Sequence, residues 1–187
     1  DHEVVALDPQ TCAKKWGATL DNAILGAPAV SANGTLYVGT LSGNLYALGA
    51  ADGKEQWKTE LQGSVWATPA LGSETLYIGT AFGNTGKLYA LNVADGKIVW
   101  SRDEASAIIA SPLALPDQIV YATETGRVQS LNPDNTPKWQ ADIEKAKIYT
   151  APFLAGEVIL VAPMQSESLL VAYNMSGAQQ WAFVPGK

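Results

Sequence analysis

Five tryptophans, Trp16, Trp57, Trp100, Trp139 and Trp181, recur at intervals of 41, 43, 39 and 42 residues. A period of about 40–45 residues marks repeat architectures, in which each unit buries its apolar face only by stacking on the next. Other features keep the same period. Pro28, Pro69, Pro112 and Pro152 each follow a small residue, Ser or Thr (Ala27, Thr68, Ser111, Ala151). A β-rich run comes next: Leu36-Tyr-Val-Gly-Thr40, Leu76-Tyr-Ile-Gly-Thr80, Ile119-Val-Tyr-Ala-Thr123 and Val158-Ile-Leu-Val-Ala162. A second run follows at Leu45-Tyr-Ala-Leu48, Leu88-Tyr-Ala-Leu91, Val128-Gln-Ser-Leu131 and Leu169-Leu-Val-Ala172. Turns such as Asp52-Gly53-Lys54 and Asp95-Gly96-Lys97 then lead into the strand that carries the Trp. Asp-Gly between alternating runs signals a tight turn, because Gly tolerates positive φ.

Each repeat therefore holds four short strands, and no apolar stripe of helical period appears, which predicts very little helix. Four antiparallel strands in about 42 residues make one blade of a β-propeller. The chain reads as a single all-β propeller, or part of one, of about four and a half blades. Residues 1–20 supply the last two strands of a blade, and 21–61, 62–104, 105–143 and 144–187 supply four full blades. The five periodic Trp are expected to be structural, filling the wedge between neighbouring blades where the spacing widens away from the axis. Trp66 lies off the period and is set apart for function.

Composition narrows the function classes. Of 187 residues, 47% are apolar and 16% charged, the balance of a folded chain. A formal net charge of −6, with 12 scattered basic residues, argues against nucleic acid, whose phosphates demand clustered Lys and Arg. No stretch approaches the roughly 18 apolar residues of a membrane-spanning helix. The lone histidine, His2, and the lone cysteine, Cys12, remove Ser-His-Asp, Cys-His and Cys/His zinc arrangements. Asp and Glu lie singly in turns rather than in a calcium loop. Gly83-Asn-Thr-Gly86 sits between two strands without the helix that would cradle phosphate. No catalytic or metal-binding residue is assigned.

Ala90-Leu-Asn-Val-Ala-Asp-Gly-Lys-Ile-Val-Trp100 closely resembles the tryptophan-docking motif of the pyrroloquinoline-quinone-like (quinoprotein-type) β-propeller repeats, A-x-D/N-x-x-T/D-G-K-x-x-W. Ala47 to Trp57 repeats it with Gly49 at the Asp/Asn position, and Ala6 to Trp16 keeps Ala6, Asp8 and Thr11 but places Cys12 at the glycine. Ser130 to Trp139 and Ala172 to Trp181 are each one residue short. Members of this family include quinoprotein alcohol dehydrogenases and the non-catalytic outer-membrane assembly lipoprotein BamB. Such propellers usually close with about seven or eight blades and roughly 300 residues or more. The chain is therefore expected to be part of a longer propeller, the alternatives being a ring of two chains or a small closed propeller. Open blade faces would favour self-association.

In the dehydrogenases the quinone lies beneath a disulfide between adjacent cysteines, with calcium and a catalytic Asp. This sequence has no Cys-Cys pair, so no cofactor is expected. The resemblance favours the BamB-like members: a non-enzymatic scaffold for protein–protein contact in bacterial cell-envelope assembly, periplasmic or otherwise extracytoplasmic. The alternatives are a fragment of a quinoprotein dehydrogenase and the ligand-binding or sensor ectodomain of a larger protein.

A partner surface is expected on one rim, formed by the segments before each Pro and the turns 41–44, 81–87, 124–127 and 163–168. Leu25, Trp66, Ile109 and Tyr149 each stand three residues before a recurring Pro, a placement that would ring the mouth of a central channel. Trp66 and Tyr149, with Phe82, Arg127, Lys147 and Met164 on nearby turns, have the aromatic, Arg and Met composition of recognition hot spots. The competing expectation is that Trp66 and Tyr149 plug the channel or pack between blades.

Overall fold

Residues 2–186 are described by a computed structural model, and all of its regular structure is strand. β1 (Glu3–Leu7) and β2 (Lys14–Thr19) form a two-stranded antiparallel sheet. Four four-stranded antiparallel sheets follow in chain order. The first holds β3 (Ala29–Val30), β4 (Thr35–Gly39), β5 (Asn44–Gly49) and β6 (Glu55–Glu60). The second holds β7 (Ala70–Leu71), β8 (Thr75–Phe82), β9 (Thr85–Asn92) and β10 (Ile98–Glu104). The third holds β11 (Leu113–Ala114), β12 (Ile119–Ala122), β13 (Arg127–Leu131) and β14 (Pro137–Asp142). The fourth holds β15 (Phe153–Ala155), β16 (Val158–Val161), β17 (Leu170–Asn174) and β18 (Gln179–Phe183). Each is an up-and-down meander, the blade of a propeller.

The strands differ because their surroundings differ. Middle strands such as β4 and β5 are buried along nearly their whole length, whereas β6 alternates exposed and half-buried residues. A strand covered on both faces reads as a continuous apolar run, and one covered on a single face alternates. The covering comes from the next blade. Tyr37, Leu45 and Ala47 of the first full blade share a core with Leu76, Ile78, Tyr89 and Leu91 of the second. Val120 and Val128 of the third blade pack with Ile159, Val161, Val171 and Tyr173 of the fourth. Val4 of β1 joins Val38, Tyr46 and Leu48 in the same way. The core thus lies between sheets.

Every periodic Trp faces a small residue across its sheet: Trp16 opposite Ala6, Trp57 opposite Ala47, Trp100 opposite Ala90, Trp139 opposite Ser130 and Trp181 opposite Ala172. A register shift lies beside each pair, where such irregularities add local twist, and the indoles of the first four reach the following blade. There the ring nitrogen donates to a backbone carbonyl just past the third strand. Trp16 reaches Ala50 at 3.0 Å, Trp57 reaches Val93 at 3.2 Å, Trp100 reaches Pro133 at 2.9 Å and Trp139 reaches Met175 at 3.1 Å. Trp181 is the exception: it is 45% exposed, and no indole hydrogen bond forms among the described residues.

Candidate rim site

Segments that cross from one blade to the next are pinned by backbone hydrogen bonds. Val65 N–H donates to Thr40 C=O, Ile108 N–H to Thr80 C=O and Ile148 N–H to Glu124 C=O. Val65, Ile108 and Ile148 are buried in the interblade cores. In extended backbone the next side chain points to the opposite side. The residues that follow them are more open: Trp66 and Tyr149 are exposed and Ile109 is half-buried.

Those three side chains, from three successive blades, line one groove of about 510 Å³ together with Ala81, Gly83, Ala107 and Glu124. Trp66 and Tyr149 are each 45% exposed, so their rings remain open to solvent. Glu124 Oε1 accepts from Lys147 Nζ at 3.1 Å and from Tyr149 OH at 3.3 Å. Lys147 and Met164 exchange two backbone hydrogen bonds of 2.8 Å, which ties the fourth blade's entry segment to the turn that bears Met164. Phe82 ends β8 beside Gly83 and is exposed, as is Met164.

Arg127 lies elsewhere. It opens β13 and pairs through Nε with Asp142 Oδ1 at 3.0 Å. The guanidinium holds the Asp142 carboxyl below its ordinary value. That pair borders a separate polar recess of about 170 Å³ with Glu104, Ser106 and Thr123. Leu25 is exposed but does not line the groove. The segment 81–87 is also more regular than the sequence suggests: β8 runs to Phe82, β9 starts at Thr85, and only Gly83 and Asn84 form the turn.

Two polar clusters stabilise the surroundings. Buried Glu104 accepts from Tyr121 OH at 2.6 Å, Gln129 Nε2 at 2.9 Å and Arg102 Nε at 3.2 Å. Burial, reinforced by the Glu104 carboxylate, pushes the Tyr121 hydroxyl well above its ordinary value. Asp21, on the β2–β3 connection, accepts from Ser42 Oγ at 2.7 Å and from Asn44 Nδ2, and so fixes the rim end of the first full blade. Burial raises its carboxyl, but these hydrogen bonds outweigh burial and bring it down to about 2.

Glu124 does not stand out in the sequence because single acidic residues occur in many of the turns. The available signal was repeat register: Thr123-Glu-Thr-Gly126 aligns with Thr40-Leu-Ser-Gly43, so a carboxylate replaces a leucine.

The family described as outer membrane protein assembly factor BamB matches residues 1–146 and again residues 84–186. No curated protein matches the sequence. Among solved structures, BamB from Moraxella catarrhalis superposes with a TM-score of 0.78 at 22% identity, over 91% of this chain and 52% of its own. Quinohemoprotein alcohol dehydrogenase from Comamonas testosteroni gives 0.74 at 16% identity, over 87% of this chain and 35% of its own. The quinohemoprotein alcohol dehydrogenase ADHIIG from Pseudomonas putida HK5 gives 0.78 at 17% identity, over 92% and 36%. This chain spans about half of the first structure and about a third of the other two. At these identities the likeness is one of fold.

Cys12 is a single exposed thiol at the tip of the β1–β2 hairpin, and no three His, Cys, Asp or Glu side chains gather among the described residues.

Proposed function

We propose, on the footing that this chain belongs to the family described as outer membrane protein assembly factor BamB, that it is a non-enzymatic propeller scaffold whose rim binds a protein partner. The observation that carries this reading is the groove that Trp66 and Tyr149 border from different blades. Both aromatics follow residues locked into the cores, so they are held open without the ordering cost of a mobile loop. Aromatic anchors around a central depression are where binding energy concentrates. Placement outside the cytoplasm and a role in envelope assembly extend the description of the family to this chain.

The test is site-specific photo-crosslinking of the full-length protein in its native cells, with the crosslinker at Phe82 and, as a control, at Gln140 on β14. The Phe82 position should capture a protein partner, and the Trp66→Ala/Tyr149→Ala double variant should lose it with an unchanged melting curve. Crosslinks confined to Gln140 would overturn the rim. Lost folding in the double variant would mean that the aromatics serve packing instead.

The competing reading is a piece of a quinoprotein dehydrogenase, favoured by the fold shared with the two alcohol dehydrogenases. Dye reduction by the full-length protein with pyrroloquinoline quinone, calcium and an alcohol would establish it.

A further inference from the structure

We propose that the groove between Trp66 and Tyr149 receives an arginine side chain of the protein partner, its guanidinium seated on Glu124. The inference rests on the rim reading above and assigns the chemistry of what enters.

Glu124 uses one oxygen only. Oε1 takes both Lys147 Nζ and Tyr149 OH, and Oε2 has no hydrogen bond among the described residues. A carboxylate offers about four lone-pair sites across its two oxygens. A partner that closes the groove strips water from Oε2 and must replace it with a donor, because an unmatched buried acceptor opposes binding. A leucine or phenylalanine anchor supplies none.

The walls select further. Ala81, Ala107 and Ile109 offer apolar surface to an aliphatic stem. Open indole and phenol rings attract a cation over their faces, and the planar guanidinium stacks on such rings while presenting paired donors to a carboxylate. Lys147 discriminates within the cations. Its ammonium already lies against Oε1, so a second compact ammonium would meet concentrated like charge. A guanidinium spreads its charge, is more weakly hydrated and reaches Oε2 with a fork of N–H groups. The chain's formal net charge of −6 sets no general barrier to a basic ligand.

The experiment titrates the ¹⁵N-labelled full-length protein with capped Gly-Arg-Gly and with the same peptide carrying citrulline, lysine or norleucine. The readout is the Trp66 indole N–H resonance, assigned with Trp66→Phe. Citrulline keeps the planar shape of arginine but carries a carbonyl oxygen in place of one NH2 group, and so lacks the charge and the full fork of donors. Arginine should bind roughly tenfold tighter than citrulline or norleucine, and E124Q should reduce arginine to the citrulline level. Equal shifts from arginine and norleucine would overturn the arginine assignment while leaving the rim as a partner surface. No response to arginine beside persistent crosslinks at Phe82 would also overturn it, whereas absent crosslinks would remove the rim reading itself. If E124Q fails to fold, the arginine-to-citrulline ratio on the unaltered protein decides.

Discussion

The indole of Trp57 lies directly over Gly96 of the following blade: a Cβ on that glycine would stand 2.5 Å from Trp57 Cε3 and 2.7 Å from Thr59 Oγ1. Gly53 beneath Trp16 and Gly177 beneath Trp139 repeat the contact, each at positive φ. The glycine of the docking motif thus serves two ends, a left-handed turn and room for an aromatic ring from another blade. Asn135 stands at the equivalent turn beyond Trp100, with φ 73° and a buried Oδ1 that has no hydrogen-bond partner among the described residues.

Gly96→Ala is expected to cost about 2–4 kcal/mol, combining an unfavourable left-handed alanine with overpacking against the ring. Asn135→Gly should act oppositely and gain about 0.5–1 kcal/mol by removing an unmatched amide oxygen. Urea denaturation checks both signs, and equal midpoints for the two variants would refute the docking account.

Trp100→Ala should lose the 2.9 Å hydrogen bond to the Pro133 carbonyl and the tilted contact with Tyr77 at 5.9 Å. The cost is about 3 kcal/mol, which for a chain of this length lowers Tm by roughly 6–12 °C. Calorimetry measures it directly, and an unchanged melting curve would contradict a packing role.

Asp21 predicts an acid-sensitive rim. Its carboxyl sits at about 2, below the model-compound value of 3.8. A depressed folded value means stability that is present above the unfolded value and is lost as pH falls through the folded one. The stability of the protein should therefore drop between about pH 4 and pH 2. Asp21→Asn should flatten the part of that drop that the Ser42 and Asn44 hydrogen bonds supply. The comparison is urea midpoint against pH for both proteins, and parallel curves would show that Asp21 contributes nothing.

Two equivalent threonines should respond differently to loss of the hydroxyl. Thr80 Oγ1 donates to the Gln62 carbonyl at 2.8 Å, while buried Thr123 Oγ1 has no partner among the described residues. Thr80→Val should cost about 1–2 kcal/mol, and Thr123→Val should be neutral or stabilising by up to about 1 kcal/mol. Equilibrium unfolding of the two variants side by side gives the answer.

The periodic tryptophans, the Asp-Gly turns and the twin apolar runs carried the four-stranded blade in the sequence, because alternation and turn chemistry are local properties of consecutive residues. The small residue opposite each Trp is the first residue of the docking motif, alanine everywhere except Ser130 opposite Trp139. What the sequence could not convey was direction and convergence. Which carbonyl each indole meets depends on the twist between sheets whose contacting residues lie 33 to 36 positions apart along the chain. The same packing brings Trp66, Ile109, Glu124 and Tyr149 into one groove, whereas Arg127 pairs with Asp142, its cross-strand neighbour within the third blade. Sequence spacing orders residues along a strand, but only the stacking of one blade on the next decides which of them face one another.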